Sequence, residues 1–442
     1  MSDAESPPDD DVPSVSQDEI PDDDGFEPVQ VFPDNEMDLR GGADDCYKCS
    51  TCDTNCPVAE VDDGFPGPKF QGPEQWRLKQ KDDEDIDSSI MDCSNCMRCD
   101  NACPSDVPLS QMHNEARAEY VDEQMDTFSI EYIRNRVLAN YRKLAPLGAT
   151  FPRLTNTMMS NSVVRKLGEK LFGVTAEREF PAFAKQTFRQ WWAERGGPQV
   201  QSEDKRIAYF HGCYSNYNTP EVARAMVRTF EHFGYQIAVP DQGCSGTPMF
   251  ANGMLDDARR DARLNIKEFG QLVEEGYDVV CSCTSCSMAI RQEYPELFSF
   301  EGTEEVSEST YEAVEYLRIH EDLGGAISAA SVDFPDLAYH APCHSRNQGL
   351  DRQAVELFRD LDGVDIEDVG ESCSGISGTY GWKAEKYDKS MAIGEEMFEH
   401  MDAAKGETGM TECPTCAMQM EHGSGYEIRH PLELLEEALV EG

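Results

Sequence analysis

Four cysteines recur along this chain at a near-constant offset. Cys213, Cys244, Cys283 and Cys286 follow the spacing C-x30-C-x38-C-x2-C, and Cys343, Cys373, Cys413 and Cys416 follow C-x29-C-x39-C-x2-C. Equivalent cysteines lie 130, 129, 130 and 130 residues apart. Agreement at four positions marks an internal repeat, so the two copies share one fold.

Short apolar runs precede these cysteines in both copies. Arg206–Phe210 and Asp336–His340 run into Cys213 and Cys343. Gln236–Val239 and Val364–Ile366 precede Cys244 and Cys373. Tyr277–Val280 and Thr408–Thr411 precede the C-x2-C pairs. Helical stretches such as Pro220–Phe233 and Leu255–Gly276 separate them. Alternating strand and helix implies a parallel sheet in each copy. Every repeated cysteine then sits just beyond the C-terminal end of a strand, where open α/β sheets build their sites.

A second cysteine pattern lies upstream. Cys46, Cys49, Cys52 and Cys56 are followed by Pro57, and Cys93, Cys96, Cys99 and Cys103 by Pro104. Both read C-x2-C-x2-C-x3-C-P, the run with which two-cluster ferredoxins hold a pair of [4Fe-4S] clusters. Thiolates are soft ligands suited to iron–sulfur centres or zinc. Short C-x2-C spacings let a tight loop wrap a cluster with its amides turned toward the sulfides. In this arrangement Cys46, Cys49, Cys52 and Cys103 hold one cluster, and Cys93, Cys96, Cys99 and Cys56 hold the other. The competing expectation is two zinc sites, but those normally show pairs of cysteines.

Composition bounds the partners. In 442 residues, 85 Asp and Glu against 38 Lys and Arg give a net charge of −47. Such a surface repels phosphate backbones, which excludes nucleic acid as a partner. The excess suggests a chain suited to high internal salt, where screening hides self-repulsion. The 17 cysteines occur without a secretory leader, so they read as metal ligands rather than disulfides. No window of 18 apolar residues exists to span a membrane. No G-x-G-x-x-G follows a strand, so neither flavin nor nicotinamide is expected, and substrate oxidation needs a partner.

The expected organisation has five parts. Residues 1–45 carry 16 acids and one basic residue, Arg40, and read as a disordered acidic tail. Residues 46–127 hold the two four-cysteine runs. Residues 128–203 form a basic helical linker, 204–330 the first repeat and 331–442 the second. From Ser129 to Gln190 the charge reverses, with 11 Lys or Arg against four Glu. Val163, Val164, Leu167 and Leu171 share one helical face there, and Trp191 and Trp192 follow. Such a stretch fits an anionic membrane surface. The alternative is that its basic residues dock on the protein's own acidic parts.

Taken together, an α-helical ferredoxin domain followed by two tandem α/β Cys-rich domains with parallel sheets resembles a known family. It includes heterodisulfide reductase, glycolate oxidase iron–sulfur subunits and the C subunit of anaerobic glycerol-3-phosphate dehydrogenase. The stretches that carry the resemblance, nearest to the last branch, are His211–Asn218, Gly246–Gly253, Cys343–Arg346 and Gly375–Lys383. The resemblance implies an electron-transfer subunit that takes electrons from flavoprotein dehydrogenase subunits of A and B type and passes them to membrane quinone. It also implies a cytoplasmic, peripheral place on the inner face of the cell membrane. Glycolate or lactate oxidation and a catalytic, heterodisulfide-type role are the rivals.

The family usually shows a Cys-Cys-Gly core in each repeat. Here the cores are Cys244-Ser245-Gly246 and Cys373-Ser374-Gly375. A four-thiolate iron–sulfur cluster, zinc or a Ser-ligated variant therefore fits the repeats better than a five-thiolate centre. Cys281 has no counterpart in the second repeat, where Thr411 stands, and reads as an extra ligand or a buried small apolar residue. His211, His340 and His344 flank the first repeat ligands and read as hydrogen-bonding neighbours or proton donors. The Gly375–Gly378 segment reads as a close-approach loop at the metal.

Overall fold

The computed structural model describes residues 43–82, 85–330, 334–359, 364–370, 372–406 and 408–441. The expected acidic tail, up to residue 42, lies outside the described residues. Among them, no helix is long and apolar enough to cross a membrane.

Each repeat forms one four-stranded, all-parallel sheet. In the first, β1 (Arg206–Phe210), β2 (Gln236–Ala238), β3 (Asp278–Cys281) and β4 (Thr310–Glu312) are ordered β2-β1-β3-β4. In the second, β5 (Leu337–Tyr339), β6 (Ile366–Asp368), β7 (Thr408–Met410) and β8 (Glu427–Arg429) are ordered β6-β5-β7-β8. Ile207 to Phe210 are all buried, as a strand covered on both faces requires. The strand order reverses direction beside the first strand of each sheet. Cys213 follows β1 and Cys283 follows β3, so both sit at that switch point, as do Cys343 after β5 and Cys413 after β7.

Strands β4 and β8 carry no cysteine and were not expected. They are three-residue edge strands, and no repeated cysteine follows them to mark so short a run.

The parts share cores. Phe230 and Met226, on the Pro220–His232 helix, pack in one cluster with Leu432 and Leu435 of the Pro431–Glu436 helix, which joins the two repeats. Ile90, Met91 and Ala116 of the ferredoxin part pack with Phe250 of the first repeat. Val58 and Phe65 pack against Cys343, Cys373 and Tyr380 of the second. The four-cysteine runs are thus wedged against both sheets.

Residues 130–172 form four consecutive helices: Ile130–Ala139, Tyr141–Thr150, Pro152–Ser160 and Ser162–Phe172. Their basic residues divide. Arg134 is buried against Glu385, and Arg142 donates to the Gly212 and Gln242 carbonyls. Arg178 is buried and donates to the Gly381 carbonyl. Arg153, Lys166 and Lys170 remain exposed. Trp191 and Trp192 correct the expectation of a membrane-facing end. They pack against the shared core of the repeats, and Arg195 lies 4.7 Å from the Trp191 ring centre.

Candidate metal centres

The two four-cysteine runs fold by the same backbone rule. Lys48 and Ser50 in the first run, and Asn95 and Met97 in the second, all have positive φ. These are equivalent positions, two and four residues after the first cysteine. Left-handed residues between cysteines curl the chain into a concave nest with its amides turned inward, an anion-binding shape. Holding non-glycine residues there costs about 1–3 kcal/mol each, a strain that collects at functional sites.

The thiols surround two small cavities. One is walled by Cys46, Cys49, Cys52 and Cys103, and the other by Cys93, Cys96, Cys99 and Cys56. The fourth cysteine of each run crosses to the other run's cavity. The Val107 amide donates to the Cys103 sulfur at 3.4 Å. Burial opposes ionisation of Cys93, but Arg117 and His113 bring its thiol down to about 6. Burial pushes Cys56 up to about 12, and burial with Asp53 does the same to Cys52. Such thiols ionise only when a cation compensates them, which a bound metal centre does. The donor sets, all sulfur with inward amides, fit an iron–sulfur cluster.

The repeat cysteines lie in neighbouring pairs whose thiols shift one another's ionisation: Cys213 with Cys244, Cys283 with Cys286, Cys343 with Cys373 and Cys413 with Cys416. All eight wall a single cavity of about 190 Å³ between the two sheets. The sequence assigned them to two separate sites; the fold turns the C-terminal edges of both sheets onto one space. Leu138, Tyr141, Phe180 and Trp382 complete its apolar wall, and Cys96 reaches it too. Among the described residues, no three His, Cys, Asp or Glu side chains gather as a single ion demands. The thiols surround spaces rather than points.

Both replacement serines touch the last thiol of their repeat. Ser374 Oγ donates to Cys416 Sγ at 3.3 Å, and Ser245 lies beside Cys286 and favours the ionised form of its thiol. The Cys343 thiol lowers Cys373 to about 6, and the Cys416 thiol lowers Cys413 to about 5. Ser285 Oγ lies 3.7 Å from Cys413 Sγ and bridges the repeats. Gly212, at φ 66°, stands where a Cβ would come within 3.3 Å of Cys286 Sγ. Gly375, at φ 83°, approaches the Ser390 carbonyl, so its loop packs closely on the Tyr387–Ala403 helix. Cys281 is fully buried beside Phe210 and Glu312 and stays out of the cavity wall.

Burial holds His211, His340 and His344 toward the neutral form. His211 donates Nδ1–H to the Gly212 carbonyl at 2.6 Å and accepts from Arg189 at 3.2 Å; burial, Arg142 and Arg189 hold it well below the usual range. Burial and Arg346 lower His340 to about 3, and neither of its nitrogens has a partner among the described residues. His344 reaches the Asn95 carbonyl at 3.4 Å. His211 and His344 therefore serve as hydrogen-bonding neighbours. Sequence reasoning missed Asn265, whose side chain holds the Gly243 amide and the Cys244 carbonyl. It lies mid-helix, and nothing in its local pattern marks it.

Comparisons with known proteins agree with this arrangement. The family model of a 4Fe-4S dicluster domain matches residues 42–107, and that of the cysteine-rich domain matches 207–291 and 337–421. The C subunit of the anaerobic glycerol-3-phosphate dehydrogenase of Escherichia coli (strain K12) is 34% identical over 398 residues, covering 90% of this chain and 98% of that one. The B subunit of the fumarate reductase (CoM/CoB) of Methanothermobacter marburgensis is 27% identical over 252 residues, covering 54% and 47%. Lactate utilization protein A 2 of Bacillus cereus (strain Q1) is 25% identical over 209 residues, covering 45% and 83%. With two iron–sulfur runs, two cysteine-rich repeats and this near full-length match, the chain belongs to the family of the C subunit of anaerobic glycerol-3-phosphate dehydrogenase.

Proposed function

We propose that this chain is the iron–sulfur subunit of an anaerobic glycerol-3-phosphate dehydrogenase. It receives electrons from flavin-containing subunits of A and B type, passes them to membrane quinone and tethers the complex to the membrane. The observation that carries the reading is the unbroken series of thiol sets. The Cys46 set and the Cys93 set exchange their fourth cysteines, and Cys96 faces Cys373 in the cavity between the repeats. Ser285 then links the repeats at Cys413. Each of the first two sets holds a [4Fe-4S] cluster, and the repeat thiols, which surround a space rather than a point, hold a further iron–sulfur cluster. When bound, these centres supply one-electron carriers. The residues' part is to bury them, donate hydrogen bonds to their sulfurs and exclude water.

Tethering rests on the exposed helices. Among the described residues, 14 of the 18 exposed large apolar side chains fall between Phe128 and Phe172. Arg153, Lys166 and Lys170 border them. This amphipathic surface suits an anionic leaflet, reached from the cytoplasmic side. The net charge of −47 supports function in concentrated salt.

The test is anaerobic purification with its flavoprotein partners, iron and sulfide counts, and electron paramagnetic resonance. Quinone-containing vesicles are then supplied with glycerol 3-phosphate. Reduced quinol is the expected product. Absence of iron, or turnover only with lactate or glycolate, would sink the reading.

A further inference from the structure

The cavity between the repeats is walled by the thiols themselves. A separate cavity of about 520 Å³ has no cysteine in its wall. It lies where the exposed helices meet the ferredoxin part and the second repeat, and the thiol relay gives it no role. We infer that this cavity seats the ring of the quinone, with the ring between Tyr120 and Arg134 and the tail leaving past Ile130 and Phe172. This rests on the reading that quinone is the acceptor.

Four observations carry it. First, the largely polar wall of the cavity meets exposed apolar side chains at its rim. Ile130 is 59% and Phe172 51% exposed, and both belong to the apolar helical surface. An amphiphile with a polar head and a long hydrocarbon tail fits that gradient.

Second, both cations in the wall are paired with carboxylates, and Glu131 leaves the wall one net negative charge. Arg134 is 5% exposed and grips Glu385 with two hydrogen bonds, at 2.8 and 2.6 Å, while its Nη1 also reaches the Gly173 carbonyl at 3.1 Å. Lys386 contacts Asp92. Paired cations do not select a phosphate; they suit an uncharged ring that accepts hydrogen bonds.

Third, donors for that ring are present. The hydroxyls of Ser88 and Tyr120 line the cavity and have no hydrogen-bond partner among the described residues. Burial, with Glu131 and Asp87 nearby, keeps the Tyr120 phenol protonated.

Fourth, the wall touches the relay at its junction. Asp92 immediately precedes Cys93, whose set adjoins both the Cys46 set and the second repeat. The reduction balances there. Two electrons, supplied by the reduced flavin of the dehydrogenase, arrive singly from the Cys93 set. Two protons enter from solvent at the exposed Glu131 side, and both ring carbonyls become hydroxyls.

The test uses the full-length, cluster-loaded protein in quinone-free vesicles with an azido-naphthoquinone as photoaffinity probe. Label is expected on peptides spanning Ser88–Asp92, Tyr120 or Ile130–Arg134, and excess unlabelled naphthoquinone removes it. Ser88→Trp fills the cavity and is expected to cut labelling about tenfold, with the cluster spectra unchanged. Should that variant fail to fold, Tyr120→Phe removes one donor and no volume, and weakens competition by unlabelled quinone about fivefold. Label in the cavity between the repeats, or quinone reduction without label at Ser88–Asp92, Tyr120 or Ile130–Arg134, overturns the site and leaves the quinone reading standing. A fully reduced protein that neither binds the probe nor reduces quinone overturns that reading and the site together.

Discussion

The thiol of Cys96, in the second four-cysteine run, faces the thiol of Cys373, in the second repeat, across the wall of one cavity. Two parts of the chain with unrelated folds thereby place their sulfurs side by side. A substitution at this contact separates transfer from cluster assembly. Cys373→Ala is expected to leave the signals of both ferredoxin clusters intact and to slow quinone reduction at least tenfold. Freeze-quench resonance spectra provide the check, and an unchanged rate removes the second repeat from the relay.

The crosswise placing of the fourth thiols makes a distinct prediction. Cys103 lies in the second run but walls the cavity of the first. Cys103→Ala should therefore remove the cluster of the Cys46 set and spare that of the Cys93 set, lowering the iron count by about four. Loss of the other cluster instead would show that each run closes on itself.

Ser374 donates a hydrogen bond to Cys416 at 3.3 Å. A donor stabilises negative charge on sulfur and so favours the reduced centre. Ser374→Ala is expected to lower the midpoint potential of the iron–sulfur centre held by the repeat thiols by on the order of 60 mV. Ser374→Cys adds a fifth thiol and should change the spectrum itself. Potentiometric titration reads both, and an unmoved potential in the alanine variant denies the serine its tuning role.

On the proposed reading, membrane attachment rests on additive apolar area. Leu147, Phe151 and Leu167 are 73, 67 and 55% exposed. Each contributes about 1 kcal/mol or more when buried in lipid. Replacing all three with Asp should abolish flotation with anionic vesicles. Neutralising Arg153, Lys166 and Lys170 should leave weaker binding that no longer responds to salt. Flotation unchanged by both sets would place attachment elsewhere.

Glu293 is fully buried, 3.4 Å from Asn114 across the contact between the ferredoxin part and the first repeat. Burial, with Glu296 nearby, raises its carboxyl to about 8. The folded state then binds the extra proton between the ordinary carboxylate range and pH 8. Stability from this group is fully present below that ordinary range and falls as pH rises toward 8. Glu293→Gln should flatten that slope and stabilise the protein at pH 8 by on the order of 2 kcal/mol, as read by denaturant unfolding in molar KCl. A slope that persists in the variant assigns it to other groups.

Local spacing was enough to read the repeat, the six strands that carry cysteines and the two four-cysteine runs. Thiol chemistry and strand–helix alternation are written in neighbouring residues, so Cys213 after β1 and Cys343 after β5 could be placed from the sequence. The edge strands β4 and β8 were not readable, because three residues give no period and, unlike the equally short β2, β5, β6 and β7, they have no repeated cysteine after them to mark them. Trp191 and Trp192 looked like a membrane-facing end, yet they belong to the core of the repeats. Amphipathic spacing tells which face is apolar and not what covers it. The largest difference concerns the repeat cysteines. Spacing divides them into two sets of four, while the folded chain gathers all eight around one cavity and adds Cys96. That convergence depends on how the Pro220–His232 and Pro431–Glu436 helices pack the repeats together and on how Val58 and Phe65 seat the ferredoxin part. Those are contacts between residues far apart in the chain, and they arise from apolar burial, which is non-directional and leaves no fixed spacing to read.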